Sequence, residues 1–149
     1  MHTETTIVMH APLEHIFAHA ADLSLWPKML PHYRSITYYE KSEKRNIVRM
    51  SAWRGWIPIS WTSMQEVDHE AREIRFLHLK AFTKGMAVVW TFTKTEDGII
   101  VRIRHDLKPS IPLVGGLIAD HIVGRFFIGY IAPRTLAHMK RYVESYNGA

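Results

Sequence analysis

The chemistry open to this chain rests on histidine, tyrosine and a few hydroxyl and amide side chains, because its 149 residues include no cysteine. Disulfides, iron–sulfur ligation and thiolate nucleophiles are thereby excluded, and nothing argues for secretion. Ten histidines are available. A histidine near its ordinary pKa of about 6.5 can give or take a proton, so its position decides its use. His78 and His105 both end runs of strict alternation: Ile74, Phe76, His78, and Ile99, Val101, Ile103, His105, with Leu107 beyond. Alternation in a strand sends such a set to one face. Both histidines are therefore expected in an apolar interior, with Arg102, Arg104, Asp106 and Lys108 in water. The same rule turns Trp61, Ser63 and Gln65 inward beside Ile59 and Val67, and Trp90 inward beside Met86, Val88 and Phe92. Apolar walls with sparse polar anchors are the makeup of a small-molecule site. Any one of Ser63, Gln65, His78, His105 and Arg125 could be satisfied inside a filled core; the five together point to a pocket. Tryptophan is frequent, and flat indole walls suit planar or polyene ligands.

Other patterns carry less. His15 and His19 are four apart on a helix, which is metal-pair spacing, but no third ligand is evident and no metal or cofactor is expected. Gly115-Gly116 matches neither a dinucleotide nor a P-loop pattern. Ser110 and Ser145 lack a nucleophile-elbow context. His105 and Asp106 are adjacent in a strand and so point to opposite faces, which leaves no Ser-His-Asp triad.

The elements that must position these residues follow from periodicity and breakers. Thr3–His10 reads as a strand, and Pro12 opens a helix over Leu13–Ala21. Asp22 or Ser24 can cap a second short helix carrying Leu25, Trp26, Met29 and Leu30, which Pro31 ends. Strand signals then run over Tyr33–Lys41, Asn46–Trp56, Ile59–Val67, Glu73–Lys80, Met86–Thr95 and Ile99–Lys108, with short turns between them. Short connections imply an antiparallel meander. Gly115–Asn147 reads as one long helix with Ile118, Ile122, Arg125, Gly129, Ala132, Leu136, Met139 and Val143 on its inner face and a kink near Gly129–Pro133. One helix cannot cover a flat seven-stranded sheet. The economical solution is an α+β helix-grip fold, a curved seven-stranded antiparallel sheet around the long C-terminal helix, with two short helices after the first strand. A cavity between helix and sheet follows.

No repeat or linker divides the chain, so 1–149 is expected to be a single domain. Apolar residues are 47% and the formal charge is +5, with basic residues concentrated in Lys41–Arg54, Arg102–Lys108 and Arg134–Arg141. This balance favours acidic partners. No zinc-finger spacing, RNP-type aromatic motif or recognition helix is present, and no nucleic acid is expected. There is no signal-peptide core or transmembrane run; Ile122–Pro133 comes closest, and Arg125 interrupts it. A cytoplasmic location is the default expectation.

Several stretches resemble a known family: Ile7-Val8-Met9-His10-Ala11-Pro12, Asp22 to Tyr33 with Trp26-Pro27, Trp61-Thr62-Ser63, and Val89 to Pro112 with His105-Asp106-Leu107-Lys108-Pro109. Together they resemble the START-like, or Bet v 1-like, superfamily over essentially the whole chain. Within it they resemble the polyketide cyclase/dehydrase group, which includes aromatase/cyclases and coenzyme Q-binding proteins. The resemblance implies that a hydrophobic poly-β-keto chain or aromatic intermediate binds in the cavity and undergoes aldol cyclisation and dehydration, a lyase-type activity. It places Trp26 and Tyr33 at the pocket mouth and makes His78 and Tyr33 the candidates for catalysis. Trp26, Trp61, Ser63, Gln65, Trp90, His105 and Arg125 are the candidates for ligand binding. Gln65 stands where family members carry an arginine proposed to act in chemistry. An acidic acyl carrier protein is the macromolecular partner implied. The alternative is a lipid or quinone carrier without chemistry, and a third class is an interaction module such as a ribosome-associated toxin relative.

Overall fold

The computed structural model describes residues 1–108 and 119–147. β1 (His2–Met9) is followed by α1 (Leu13–Ala21) and the short α2 (Trp26–Met29). Pro12 precedes α1, and its carbonyl accepts from the His15 and Ile16 amides at 3.0 and 3.1 Å. Asp22 closes the linker between the helices by accepting from the Ser24 amide at 3.1 Å. Six strands follow: β2 (Tyr33–Glu40), β3 (Arg45–Arg54), β4 (Ile57–Asp68), β5 (Glu73–His78), β6 (Ala87–Thr95) and β7 (Gly98–Asp106). They form one antiparallel seven-stranded sheet with β1, in the order β1-β7-β6-β5-β4-β3-β2. Meander connectivity explains the order of β2 to β7, and β1 closes onto β7 at the far edge. The α+β helix-grip expectation therefore holds. No helix among the described residues is long and apolar enough to cross a membrane.

The inward sets are those that alternation dictates. Ile74, Phe76 and His78 are buried in β5; Val88, Trp90 and Phe92 in β6; Ile99, Val101, Ile103 and His105 in β7. On β2 the register against β3 slips between Tyr33 and Ser35, a bulge that leaves Tyr33 buried and Arg34 in solvent. β3 and β4 meet in the two-residue turn Gly55–Trp56, tighter than expected, where Gly55 takes a φ of +61°.

The C-terminal helix departs from the expectation of uniform α winding. Ala119–Ile128 is π-helical, and α3 (Gly129–Asn147) begins four residues before Pro133. The wider turn of i→i+5 bonding moves the inner face. Val123, Phe127 and Ile128 are buried there, while Ile122, Arg125 and Gly129, placed inside by uniform α spacing, are exposed. Beyond Pro133 the expected face holds: Leu136, Met139 and Val143 are buried. Gly115 to Ile118, the expected start of the helix, lie outside the described residues. α3 is fastened to β1 by polar contacts: Lys140 Nζ donates to the Val8 carbonyl at 2.7 Å, and the His10 amide donates to Glu144 at 2.7 Å.

Candidate functional site

The concave face of the sheet, α2 and the C-terminal helix enclose one apolar cavity of about 50 Å³. Trp26, Trp61, Trp90, Phe76 and Phe127 supply its aromatic walls. The rings touch: Trp61 meets Phe127 edge-on with centroids 4.9 Å apart, and Trp26 meets Tyr33 edge-on at 5.1 Å. Tyr33, His78, His105 and Thr135 are its polar groups. A cavity of this size holds a few waters, whereas small-molecule pockets run to about 300–1,000 Å³, so any larger ligand must push these rings apart.

His78 ends β5, and its ring stacks parallel to Trp61 at 6.2 Å. Its Nδ1 pairs with the Thr83 hydroxyl at 2.8 Å, which fixes the ring; among the described residues Nε2 makes no hydrogen bond. His105 pairs with Val88 across β6 and β7, and its Nδ1 is buried without a partner. Burial pushes the pKa of His78 down to about 3, helped by the neighbouring His105, and that of His105 down to about 4 against the pull of Asp106. Both imidazoles are therefore neutral at pH 7. The Ser63 hydroxyl, opposite His78 in the β4–β5 ladder, is also buried and unpartnered.

Tyr33 lines the same cavity from the start of β2. Burial raises its pKa, and the Thr135 hydroxyl beside it partly offsets that rise. The Thr135 hydroxyl donates to the Ile131 carbonyl at 2.8 Å and pairs with His32 Nε2 at 2.9 Å. His32 also lines a separate surface groove beside Trp53, Trp56, Tyr130, Arg134 and His138. Its pKa is pushed down to about 4 by burial first, then by His138 and Arg134.

Of the residues singled out in the sequence, Trp26, Tyr33, Trp61, His78, Trp90 and His105 come together on the cavity wall. Trp26 and Tyr33 are buried in that wall rather than open at a mouth. Three expectations are corrected. Arg125 is exposed, because π winding rotates it away from the sheet. Gln65 is fully buried but spent on structure: it accepts from Asn46 Nδ2 at 2.8 Å and donates to the Ala21 carbonyl at 3.1 Å, tying α1 to the sheet. Ser63 lies beside His78 but is not part of the wall. The wall residues that sequence reasoning missed are Met50, Phe127, Ile128, Ile131 and Thr135. Met50 was legible from alternation in β3, where Val48, Met50 and Ala52 are buried. Thr135 had no signal, being one polar residue beside an apolar stripe. Among the described residues no three His, Cys, Asp or Glu side chains converge as for a metal ion; the His15 and His19 rings stand 4.3 Å apart.

Comparison with known proteins agrees with this architecture. The aromatase/cyclase ZhuI of a Streptomyces species superposes with a TM-score of 0.79 at 17% identity, over 97% of this chain and 93% of that one. A START superfamily protein of Mycobacterium smegmatis superposes with a TM-score of 0.70 at 15% identity, over 97% and 98%. At such identities the likeness concerns the fold. In sequence, a protein of Streptomyces halstedii named as a candidate polyketide cyclase is 26% identical over 107 residues, 68% of this chain and 95% of that protein. The family model described as "Polyketide cyclase / dehydrase and lipid transport" matches residues 1–144, and the chain belongs to that family.

Proposed function

We propose that the cavity binds a poly-β-keto or related aromatic precursor and promotes its aldol cyclisation and dehydration, with Tyr33, His78 and His105 as the groups that meet its oxygens. The observation that carries this reading is the set of neutral polar groups on the wall of one apolar cavity: two imidazoles, each with a nitrogen that has no hydrogen-bond partner among the described residues, and a phenol. Aldol closure joins an enolised carbon of the chain to one of its carbonyl carbons, and that carbonyl oxygen takes up the charge and then a proton. A hydrogen-bond donor placed where that oxygen gains charge lowers the barrier, most of all in a dry site. Tyr33 O–H and the imidazole N–H groups are such donors.

The shifted acidities assign roles. An imidazole with a pKa of about 3 is a poor general base at pH 7. His78 therefore acts as a neutral donor and anchor rather than as the proton acceptor. A carbon between two carbonyls is acidic enough to enolise with water or with a charge-stabilised neighbour. The site's main contribution is then to fold the chain and hold its ends in attacking geometry.

The test is His78→Ala, His78→Gln and Tyr33→Phe, assayed on a reconstituted poly-β-keto system for product pattern and, separately, for affinity towards an aromatic product analogue. Loss of the cyclised product by about 10²-fold or more with affinity held within a few-fold supports the proposal. A parent protein that binds apolar ligands and leaves the product pattern unchanged overturns it in favour of a lipid or quinone carrier.

A further inference from the structure

The charged residues are distributed very unevenly between the two ends of the sheet. The segments 23–39, 44–65, 74–95 and 121–143 contain no aspartate or glutamate. They supply the start of β2, the β3–β4 turn, the β5–β6 connection and most of the C-terminal helix. Three carboxylate-bearing residues belong to this end: Glu4 and Asp106 on the β1–β7 edge, where Asp106 is paired with His2, and Asp120 in the first turn of the π-helical segment.

The β3–β4 hairpin projects from this end. β5 stops opposite Ser63, with one more bond from the Leu79 amide to the Thr62 carbonyl, so β4 residues 57–61 run on past the end of β5. At the tip Trp56 is 84% exposed, the most exposed large hydrophobic side chain among the described residues. Ile122 and Phe126 on the π-helical segment are exposed at 49% and 36%. Arg54 ties the hairpin to the π-helical segment, and two further arginines lie on aromatic rings nearby. Arg54 donates to the Phe126 carbonyl at 2.7 Å and lies 4.2 Å over its ring; Arg134 lies 3.5 Å over Tyr130, and Arg34 lies 4.6 Å over Trp53.

We propose that this end docks on an anionic lipid surface, with Trp56, Ile122 and Phe126 in the interfacial layer and Arg34, Arg54 and Arg134 against headgroup phosphates. A tryptophan on a protruding turn and an apolar helix edge, rimmed by arginine, match the chemistry of that interface. An acidic acyl carrier protein would use the arginines but would leave the projecting indole and Ile122 in water. The placement also has a consequence for the cavity. Phe126 faces outward while its neighbour Phe127 lines the wall, so the docked segment is the one an apolar ligand would pass. Docking does not depend on whether the cavity supports turnover.

The experiment is sedimentation of the full chain with vesicles of phosphatidylcholine alone, and of phosphatidylcholine with phosphatidylglycerol, at low and high salt. Binding is expected only with the anionic vesicles, and it weakens as salt rises. Trp56→Ser weakens partitioning roughly tenfold or more, and Arg134→Gln weakens it about fivefold. Lys94→Gln, at the carboxylate-bearing end, leaves it unchanged. Brominated lipid quenches part of the tryptophan fluorescence of the bound parent. Trp56→Phe still binds but loses that part. Thermal unfolding of each variant checks that it is folded. No binding to anionic vesicles at low salt overturns the proposal, as does quenching that survives Trp56→Phe. Capture of an acidic carrier protein through the same arginines, without vesicle binding, also overturns it and assigns the face to a carrier.

Discussion

Two aromatic-lined hollows share α3 and treat charge in opposite ways. Ile131 and Thr135 face the inner cavity of about 50 Å³; Tyr130 and Arg134, each one residue earlier, face the outer groove of about 550 Å³. Inside, burial strips the two imidazoles of charge and keeps the Tyr33 phenol protonated. Outside, guanidinium groups keep their charge and lie flat on aromatic rings in contact with water. The difference follows from the side chains. Histidine can give up its proton at modest cost, whereas arginine cannot at any pH a protein survives. An apolar interior therefore selects the first and leaves the second at the rim. His32 stands between the two, lining the groove while bonded to Thr135 of the cavity.

Acid is the strongest way to break this contrast. The three buried histidines have folded pKa values of about 3 to 4, below the unfolded value near 6.5. The unfolded chain thus binds more protons as pH falls. The stability present above pH 6.5 is lost as pH drops towards 4. From pH 7 to pH 5 the loss is of order 2 kcal/mol for each of His78 and His105, and less for His32, which borders the open groove. Urea midpoints measured across that range check it; a flat profile would mean that water reaches the imidazoles inside.

Trp61→Ala comes next. It removes the ring packed on both His78 and Phe127. Unfolding should cost about 3–5 kcal/mol less, with the cavity enlarged in proportion. Binding of a small aromatic probe, by calorimetry, should improve even as stability falls. Gln65→Leu should destabilise by about 1–3 kcal/mol, because Asn46 Nδ2 and the Ala21 carbonyl lose their partner in a buried setting. It should leave product pattern and probe affinity unchanged, which separates a structural clamp from a catalytic group. Trp56→Ser at the groove should shift stability by no more than about 0.5 kcal/mol in chemical denaturation. A larger loss would mean that the indole packs against the protein.

The sheet was the most legible part of the molecule. Alternation in β5, β6 and β7 assigned His78, Trp90 and His105 to the interior, because a one-residue slip would have placed arginines in the core from β5 and β7 and threonines from β6. Leu13–Ala21 was legible to the residue, since Pro12 and Asp22 bracket it. The C-terminal helix was legible only past Pro133. Ahead of it, the pattern of Ile122, Val123, Arg125, Phe126, Phe127 and Ile128 fits either winding. Only packing against the sheet selects π over α and turns Arg125 outward.

What the sequence by itself determined is the antiparallel sheet, its inner face and the absence of thiol chemistry, all of which depend on local periodicity and composition. What tertiary structure decided is which inward polar groups meet a cavity. Gln65 and His78 carry the same strand signal. Yet Gln65 falls where the end of α1 leaves a carbonyl to satisfy, and His78 falls where β5 ends beside open space. Tyr33 reaches the same space only because a bulge in β2 re-aims it, and Thr135 meets it from an element a hundred residues away in the chain. Such encounters depend on distances between elements, which no periodicity in a single strand or helix encodes.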